Sequence, residues 1–502
     1  MLGYWRANAE YQGFVFAVLK EIASSNRESV LEYKEAISKM LIFNTDPLKN
    51  IIAPLYSPIG RPASVQPEIF RSFVLMNHLQ IPLDKWTEKL TNNKVLRTIA
   101  GFTYENLPKT SSYYDFINRI YGSDERPIVR GKKSKPRQKL KKGEKLPPKN
   151  PGVVSKLVAQ LMADEAKFLK RINRRKERFL QKIFAAVSVD RSVELGLIPE
   201  SVSVSGDGTC IKTGASHYGT KTCKCNEQGI YKCDCPRKFS DPSATWGWDS
   251  HNTSWFYGHT GYFISAYNKD LKADLPLYLR LVEASRHDSV SAVFALAEFK
   301  DLYPNLHINT FISDSASDNY ATYELLHHWN VNAVIALNPK NKGNFKYPPA
   351  LRINDHGVPV CPAGHNMIRF GFCGMDRCRI KWRCPRVLGK AQPSEPCSNC
   401  SPSPYGRVIY TKPLWDLRLF TKIPRGSNAW KSKMKQRTAA ERVNNRILHH
   451  YGIENAKTRG KKRISFLVTL AAVNVHLDAQ LKFLTSRGLF DLDDLLGLPI
   501  AA

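Results

Sequence analysis

Two aspartates of this chain each follow a short apolar run with the pattern of a β-strand. Asp207 ends the run SVSVSGD, and Asp314 ends the run LHINTFISD. If those strands are neighbours, the two carboxylates lie side by side, and they repel each other unless a cation lies between them. Glu441 offers a third carboxylate, in a segment with the period of a helix. Three carboxylates on rigid elements predict a site for two Mg²⁺ or Mn²⁺ ions that performs phosphoryl transfer.

The stretch FISDSASDNY contains a second aspartate, so the metal ligand has to be chosen. Asp318 immediately precedes a predicted helix that begins NYATYELL, where a carboxylate can accept helix N–H groups as an N-cap. We therefore predict that Asp318 is the cap and that Asp314 is the ligand. Asp288 also has a cap-like position and is interpreted as structural. Glu441 taken alone could equally be a solvated helix acid.

The charge of the chain predicts a polyanionic partner. Seventy-five Lys and Arg against 44 Asp and Glu give a formal net charge of +31, which is more than solubility requires. Membrane binding would call for a basic helix with a clean apolar face, and none is convincing. Double-stranded DNA is the expected partner, with a solvated basic surface as the alternative. The predicted DNA-contacting residues are Lys132, Lys133, Lys141, Lys142, Arg174, Arg175, Lys433, Lys435, Arg437, Arg442, Arg446, Arg459, Lys461 and Lys462.

The cysteines form two sets apart from the isolated Cys210. CKCNEQGIYKCDC carries two C-x-C pairs around a predicted hairpin, and four thiolates at this spacing can enclose a tetrahedral zinc ion. The second set contains the C-x2-C segment CSNC and has His365 nearby. We predict structural Zn²⁺ at one or two sites, with reduced cysteines as the alternative. The predicted zinc ligands are Cys223, Cys225, Cys233, Cys235, Cys361, Cys373, Cys378, Cys384, Cys397 and Cys400.

The apolar pattern predicts an α/β fold of several parts. The order strand, strand, strand, helix, strand, helix, strand predicts a mixed sheet flanked by helices, after an all-α region. No basic-then-apolar leader opens the chain, and the apolar run from Ile464 is too short to span a bilayer, so a soluble cytoplasmic protein is expected. The predicted parts are a helical N-terminal domain for DNA end binding or dimerisation (1–125), a basic linker (126–150), a basic helical connector (151–200), the first part of a catalytic core (201–338), a Cys-rich insertion (339–430), the last helices of the core (431–485) and a tail (486–502).

The order of these segments resembles a known family. SGDGT after a strand, EASRHDS before a helix, FISDSASDNY after a strand and RTAAERVNNR on a late helix are similar to segments of DDE transposases of bacterial and archaeal insertion sequences. Those enzymes belong to the RNase H-like superfamily, which includes retroviral integrases. The likeness spans about residues 68–480, because LPKTSSYYDFINRI resembles the family's N-terminal domain and the Cys-rich segment lies where such enzymes carry insertions.

The resemblance also implies roles for individual residues. The implied catalytic residues, which would also bind the metal, are Asp207, Asp314 and Glu441. Arg437 would be the arginine four residues before the glutamate. Many relatives have a Tyr three residues before that Arg and a Lys seven residues after the Glu, where this chain has Met434 and Leu448. The basic residues that would replace those contacts are Lys433, Lys435, Arg442 and Arg446.

The function implied by the resemblance is DNA transposition. Such an enzyme binds terminal inverted repeats, cleaves the element's ends and joins the freed 3′ hydroxyls to target DNA, with Mg²⁺ or Mn²⁺ as cofactor. Pairing of two ends implies a homodimer on DNA, associated with the nucleoid when bound. Two alternatives remain: an RNase H-like nuclease that only hydrolyses, and a catalytically silent, zinc-stabilised DNA-binding protein.

Overall fold

A computed structural model of the chain describes residues 1–121, 129–130, 151–173, 175–339, 348–374, 377–390 and 400–497. The N-terminal helices are α1 (Asn8–Ser25), α2 (Arg27–Leu31), α3 (Lys34–Ile42), α4 (Leu48–Ile52), α5 (Gln66–His78), α6 (Leu83–Asn92), α7 (Lys94–Ala100) and α8 (Thr110–Tyr121). The next helices are α9 (Val153–Ala163), α10 (Glu165–Asn173), α11 (Glu177–Phe184) and α12 (Asp190–Glu194). The later helices are α13 (Asp288–Leu302), α14 (Tyr320–His328), α15 (Asn428–Lys435), α16 (Thr438–Asn445), α17 (Lys461–Ser486) and α18 (Leu492–Leu496).

The strands fall into one large and two small sheets. The strands are β1 (Val129–Arg130), β2 (Ser201–Lys212), β3 (Thr220–Lys221), β4 (Arg237–Lys238), β5 (Thr245–Asp249), β6 (Ser254–Asn268), β7 (Ala273–Glu283), β8 (His307–Ser313), β9 (Asn332–Ile335), β10 (Ile368–Cys373), β11 (Arg379–Arg383) and β12 (Val408–Thr411). The fold is therefore mixed α/β with an N-terminal helical region. The sequence predicted both features.

The large sheet combines antiparallel and parallel strands. Its order is β5-β6-β2-β8-β9, and β7 also pairs with β6. β2, β6 and β7 form an antiparallel meander, whereas β8 runs parallel to β2 and β9 runs parallel to β8. Because parallel neighbours need a crossover connection, α13 joins β7 to β8 and α14 joins β8 to β9. The predicted order of strands and helices is confirmed, and β5 is an additional strand that the prediction missed.

β2 is longer than predicted, which changes the position of Asp207. The predicted strand ended at Asp207, but β2 continues to Lys212 because residues 208–212 pair with β6. The parallel pairing with β8 stops earlier, at Ser205 opposite Ile312. Asp207 therefore lies inside β2, two residues beyond its last parallel pair.

The N-terminal helices pack on the rest of the chain. α5 is buried along nearly its whole length. Phe73 of α5 packs edge-on against Phe466 of α17, with ring centroids 4.8 Å apart. Asn474 of α17 also donates a hydrogen bond of 3.0 Å to the carbonyl of Val74. One cluster of buried side chains consequently runs from the N-terminal helices to the large sheet.

α17 also contacts the large sheet. Burial lowers the pKa of His476 to about 4, so its ring is neutral, and its Nε2 donates a hydrogen bond of 2.7 Å to the carbonyl of Pro276 in β7. Among the described residues, α17 is the one helix long and apolar enough to cross a membrane, yet 83% of its most apolar 18-residue window is buried inside the fold. The apolar helix is therefore longer than the run from Ile464 suggested, and it serves as a core helix.

The late helix predicted over 433–452 is divided. α15 ends at Lys435, α16 begins at Thr438, and Arg446–His450 form a turn of π-helix. The Cys-rich segments contribute to two small sheets, ordered β1-β4-β3 and β10-β11-β12. A separate apolar cluster around Trp382 forms the core beside the second small sheet.

Candidate active site and zinc centre

Asp207 and Asp314 lie at the same level of two neighbouring parallel strands. Ser205 is opposite Ile312, and each aspartate is two residues further along its own strand. Asp314 keeps an extended backbone, with φ −75° and ψ −175°, so the register continues to it. Side chains two residues apart share one face of a sheet, and neighbouring strands are about 4.8 Å apart. The fold thus brings the two carboxylates together.

Asp314 is held by the turn that follows β8. Its Oδ1 accepts a hydrogen bond of 3.0 Å from the backbone N–H of Ala316, at the start of the 3₁₀ turn Ser315–Ser317. This bond orients one carboxylate oxygen. The end of the strand and its turn therefore set the direction of the side chain.

Asp318 does not cap α14, so that interpretation was wrong. The cap is Asn319, whose Oδ1 accepts a hydrogen bond of 3.0 Å from the N–H of Thr322. Asp318 is buried, and its carboxylate accepts bonds of 2.8 Å from Nε and from Nη2 of Arg418. The backbone N–H of Asn338 donates a further bond of 2.6 Å. Asp318 therefore forms a buried structural ion pair.

Asp288 does not cap α13 either, and it belongs to the carboxylate cluster. His287 is the cap, with its Nδ1 3.3 Å from the N–H of Ser289. The Asp288 carboxylate lies so close to Gly208 that a Cβ on that glycine would be 2.4 Å from Oδ1. Burial and the charge of Asp314 raise the pKa of Asp288 to about 6, against a smaller lowering by His287. Gly208 was the available sequence signal, since a glycine inside a strand often marks close approach of another group.

Four carboxylates influence one another at this site. The pKa of Asp207 is raised to about 7, with burial as the largest cause. The acidic residues that raise the pKa further are, in decreasing order, Asp288, Asp314 and Glu441. The positive charge of Arg437 lowers the pKa of Asp207, and its effect is smaller than that of each of these acids. At neutral pH the Asp207 carboxyl is consequently protonated in part of the molecules.

α16 and the residue before it contribute three polar side chains. Arg437 immediately precedes the helix, and its Nη1 lies 2.7 Å from Oε1 of Glu441. The Glu441 side chain remains 46% exposed. Asn444 donates a hydrogen bond of 3.0 Å from Nδ2 to Oδ2 of Asp207. The prediction did not include Asn444, although its i+3 spacing from Glu441 puts both on one helix face.

The donor atoms at this site suit a hard divalent cation. Carboxylate and amide oxygens are the ligands that Mg²⁺ and Mn²⁺ prefer. A cation would stabilise the charged form of Asp207, which burial and the neighbouring acids disfavour. The Oδ1 of Asn444 is buried and has no hydrogen-bond partner among the described residues. The carboxylate oxygens are not, however, all within 4.8 Å of one another. In the described parts of the chain, the one group of metal-ligating atoms that is this compact consists of four cysteines.

The first cysteine set converges beside the sheet β1-β4-β3. The four Sγ atoms of Cys223, Cys225, Cys233 and Cys235 all lie within 4.8 Å of one another. The Cys223–Cys233 and Cys225–Cys235 Sγ distances are 3.4 and 3.6 Å, near the ~3.8 Å expected for a zinc tetrahedron. The pKa of Cys223 is lowered to about 6, chiefly by the backbone N–H of Cys225. This group could hold a metal such as zinc.

The second cysteine set forms no metal-ligand group among the described residues. Cys361 is buried with Met367 and Trp382 in the separate apolar cluster, where it packs as a small hydrophobic side chain. Cys397 lies outside the described residues, so a site that includes CSNC stays a prediction. The other predicted ligands of this set, which the described structure does not gather into such a group, are Cys373, Cys378, Cys384 and Cys400.

Some predicted DNA-contacting residues are ion-paired within the protein. The pairs are Arg442 with Asp274, Arg446 with Asp478, and Arg175 with Glu298. The Glu298 side chain is fully buried, so Arg175 neutralises an acid that has no access to solvent. Asp274 is also nearly buried, and Arg442 binds both of its oxygens, at 2.6 and 2.8 Å. These arginines therefore neutralise acids of the protein itself, and removing Arg175 would leave a buried acid without one of its partners.

The remaining predicted contacts differ in their surroundings. Lys433 reaches the large sheet, where its Nζ donates a hydrogen bond of 2.6 Å to Ser203, and Lys435 is exposed. The other bonded cations are Arg459 to the carbonyl of Gly214 at 3.1 Å, Lys461 to Glu177 at 2.6 Å and Lys462 to Asn118 at 2.6 Å. The predicted contacts outside the described residues are Lys132, Lys133, Lys141, Lys142 and Arg174.

No protein-family model matches this chain, and no curated protein matches its sequence. The order of the strands and the chemistry of the carboxylates and cysteines are therefore the basis for a functional proposal.

Proposed function

We propose that the chain is a DDE-type DNA transposase with an RNase H-like catalytic core. The strand order β7-β6-β2-β8-β9 supports this fold, because an antiparallel meander followed by two parallel strands is the RNase H-like arrangement. The strand order is independent of the short sequence segments that suggested the family. It therefore adds to their support.

The observation that carries the proposed activity is the cluster of mutually repelling carboxylates. Asp207, Asp314 and Glu441 come from β2, the end of β8 and α16. Burial is the largest cause of the raised pKa of Asp207, and the charges of Asp288, Asp314 and Glu441 raise it further. A chain with a net charge of +31 has many cations available, yet in the described structure Arg437 is the smallest of the charge effects on Asp207, and His287 only partly offsets the rise at Asp288. Such a concentration of negative charge suits divalent cations bound together with a phosphodiester.

In this proposal Asp207, Asp314 and Glu441 hold Mg²⁺ or Mn²⁺. Bound ions of this kind activate the attacking oxygen, stabilise the leaving oxygen and neutralise charge on the phosphate. Asp207 has to lose its proton when the cation binds, so affinity should increase as the pH rises through about 7. Asn444 orients Oδ2 of Asp207 through its hydrogen bond.

Arg437 is ion-paired to one of the proposed metal ligands. Its guanidinium pairs with Glu441, and guanidinium groups can also donate two parallel hydrogen bonds to a phosphate. We infer that Arg437 orients Glu441 before DNA binds and contacts a phosphate afterwards. DNA as the partner is supported by the net charge, and pairing of two element ends makes a homodimer on DNA part of the proposal.

A strand-transfer assay tests this function. Labelled duplexes that carry the DNA flanking the coding region would be incubated with a supercoiled plasmid, the protein and Mg²⁺ or Mn²⁺. The wild-type protein is expected to join labelled 3′ ends to the plasmid, and Asp207→Asn is expected to bind DNA without joining it. Asn445→Ala is the matched control, because Asn445 is an exposed neighbour on α16.

The same assay separates the alternatives. Metal-dependent cleavage without joining would indicate a nuclease that only hydrolyses. DNA binding that never leads to cleavage would indicate a catalytically silent DNA-binding protein stabilised by zinc. Joining at the wild-type rate by Asp207→Asn would contradict the assignment of the site.

A further inference from the structure

A group of exposed aromatic side chains lies on the hairpin formed by β5 and β6. Trp246 is opposite Tyr257 and Trp248 is opposite Trp255, and the two-residue period of a strand puts all four rings on one face. The three tryptophans are 45%, 51% and 66% exposed. We define the aromatic face as His217, Tyr218, Trp246, Trp248, Trp255 and Tyr257.

The rings of the aromatic face support one another. Trp248 and Trp255 meet edge to face, with centroids 5.3 Å apart. Trp246 lies 5.6 Å from the ring of Tyr257 and 4.9 Å from the ring of His217. Contacts of this kind fix the ring planes while leaving their outer surfaces open to solvent.

The other face of the hairpin anchors it to the protein. Phe256 is only 5% exposed. A Cβ on Gly247 would be 2.7 Å from the carbonyl oxygen of Ala284, so the hairpin lies directly against the strand end there. The core contribution of the hairpin therefore comes from this second face, and the aromatic face is not needed to fill the core.

The charged residues around the aromatic face favour a partner that is negatively charged and that can stack on aromatic rings. Lys212 is exposed at the end of β2 and forms only a long ion pair, 3.7 Å, with the partly exposed Glu454, and Arg459 contacts the carbonyl of Gly214 near the same edge. The acid on the hairpin, Asp249, is occupied by its own turn, where its Oδ1 accepts bonds of 3.0 and 3.2 Å from the N–H groups of His251 and Asn252. Nucleobases meet this description, since they stack on aromatic rings and carry phosphates that bind cations.

The aromatic face also lies on the strand that runs past the proposed active site. Asp207 is opposite Phe263 of β6, and Tyr257 precedes Phe263 by six residues, on the same side of the strand. At about 3.3 Å per residue this separation is roughly 20 Å. A DNA strand with a phosphate at the carboxylates could therefore lay bases several nucleotides away on the aromatic face.

We propose that the aromatic face binds unpaired bases of a DNA strand by stacking. Paired bases inside a duplex keep their faces covered by their neighbours, so the surface would select frayed or single-stranded DNA. The inference rests on the DNA-binding part of the proposed function and adds a substrate feature to it. A protein partner is the other occupant that such a surface could take.

Fluorescence anisotropy without added Mg²⁺ tests the proposal independently of catalysis. The probes are a labelled deoxythymidine oligonucleotide of about ten residues, matched to typical site sizes, and a duplex of the same length. Trp255→Leu is expected to weaken binding to the oligonucleotide about tenfold, because the stacking of one base on one aromatic ring contributes about a factor of ten to affinity. Trp255→Phe, which keeps a ring, is expected to retain most of the affinity. The control is Tyr405→Leu, an exposed aromatic residue outside the aromatic face and outside the N-terminal helical region.

Salt dependence and the duplex probe complete the test. Loss of stacking should leave the slope of log affinity against log salt concentration unchanged, because that slope counts phosphate contacts. Oligonucleotide binding by Trp255→Leu at wild-type strength, equal losses on both probes, or equal losses for the Leu and Phe variants would each overturn the proposal. Binding of a uridine oligonucleotide with no binding of the deoxythymidine probe would also overturn it. Absence of strand transfer would refute the proposed transposase activity without affecting this result.

Discussion

Asn444 on α16 donates a hydrogen bond of 3.0 Å from its Nδ2 to Oδ2 of Asp207 on β2. The bond ties the last helix of the site to its central strand, across 237 residues of sequence. Both partners are at least half buried, so water competes poorly for the interaction. Asn444 is therefore a positioning residue for the aspartate that the other acids perturb most.

Replacing Asn444 by alanine should slow metal-dependent DNA cleavage about ten- to a hundredfold, because hydrogen bonds to charged groups contribute about 1.5–3 kcal/mol. Single-turnover rates over a Mg²⁺ titration would measure this effect. Loss of orientation should also raise the Mg²⁺ concentration needed for half-maximal rate. Asn445→Ala serves as the control, and a wild-type rate for Asn444→Ala at every Mg²⁺ concentration would contradict the prediction.

Asp314 and Asp318 should respond differently to the same substitution. Asp314→Asn is expected to abolish cleavage with little change in melting temperature. Asp318→Asn should instead lower the unfolding free energy by about 3–5 kcal/mol, because it leaves the buried guanidinium of Arg418 without its counter-charge. Thermal unfolding and cleavage measured on both proteins check the pair. An inactive but fully stable Asp318→Asn protein would show that the metal ligand was chosen wrongly.

The stability of the protein should depend on pH through Asp207. The pKa of this carboxyl is about 7 in the folded protein, against an ordinary value of 3.8. Between those values the folded state binds more protons than the unfolded state, so the group lowers the unfolding free energy as pH rises through this window. Asp207→Asn should therefore raise the melting temperature at pH 8 and have little effect near pH 4.

The control for this measurement is Asp270→Asn, which changes an exposed acid between β6 and β7. Added Mg²⁺ should stabilise the wild-type protein at pH 8 and have a smaller effect on Asp207→Asn. Melting temperatures of Asp207→Asn and wild type that follow the same pH curve would contradict the prediction.

Gly208 should be intolerant of a side chain because of Asp288. The added Cβ of Gly208→Ala would be 2.4 Å from Oδ1 of Asp288, so the carboxylate or β2 must shift. A displacement of about 1 Å at a reacting centre can reduce the rate about a hundredfold. Cleavage rates of Gly208→Ala, Asp288→Asn and the control Gly13→Ala, whose Cβ would meet no atom within 4 Å, check this. Wild-type cleavage by Gly208→Ala would show that Asp288 has no part in the site.

Zinc removal should affect one cysteine set in particular. Protein purified without a chelator is expected to contain at least one zinc per chain by elemental analysis. Cys235→Ser should lose one equivalent and melt at a lower temperature, because a structural zinc site contributes directly to folding. Cys210→Ser is the control, since Cys210 is not part of the four-cysteine group. Absence of zinc from the wild-type protein would refute the prediction.

The sequence allowed the main sheet to be predicted because its strands are marked by local patterns. Apolar runs of strand length and intervening helix-period segments are local features, and they located β2 with Asp207 and β8 with Asp314 directly after it. The four-cysteine group was also predictable, because its ligands are close in sequence. β5 was missed because its aromatic residues are exposed and its other face contains Gly247, so no apolar run marks the strand.

The errors concern residues whose partners lie far along the chain. Asp318 and Asn319 are equally good candidates for an N-cap from sequence alone, and the choice depends on Arg418, 100 residues later. Asp288 joins the carboxylates only because α13 packs over β2 beside Gly208. Tertiary contacts of this kind have no local sequence pattern.

The position of α17 has a consequence for any attempt to shorten the protein. This helix is hydrogen-bonded to α5 through Asn474 and to β7 through His476. It therefore packs against the N-terminal helices on one side and against the large sheet on the other. Removing the N-terminal helices would leave Phe466 and its neighbours facing water on a helix long enough to enter a membrane. A fragment without the N-terminal helices would therefore be expected to aggregate or partition into detergent.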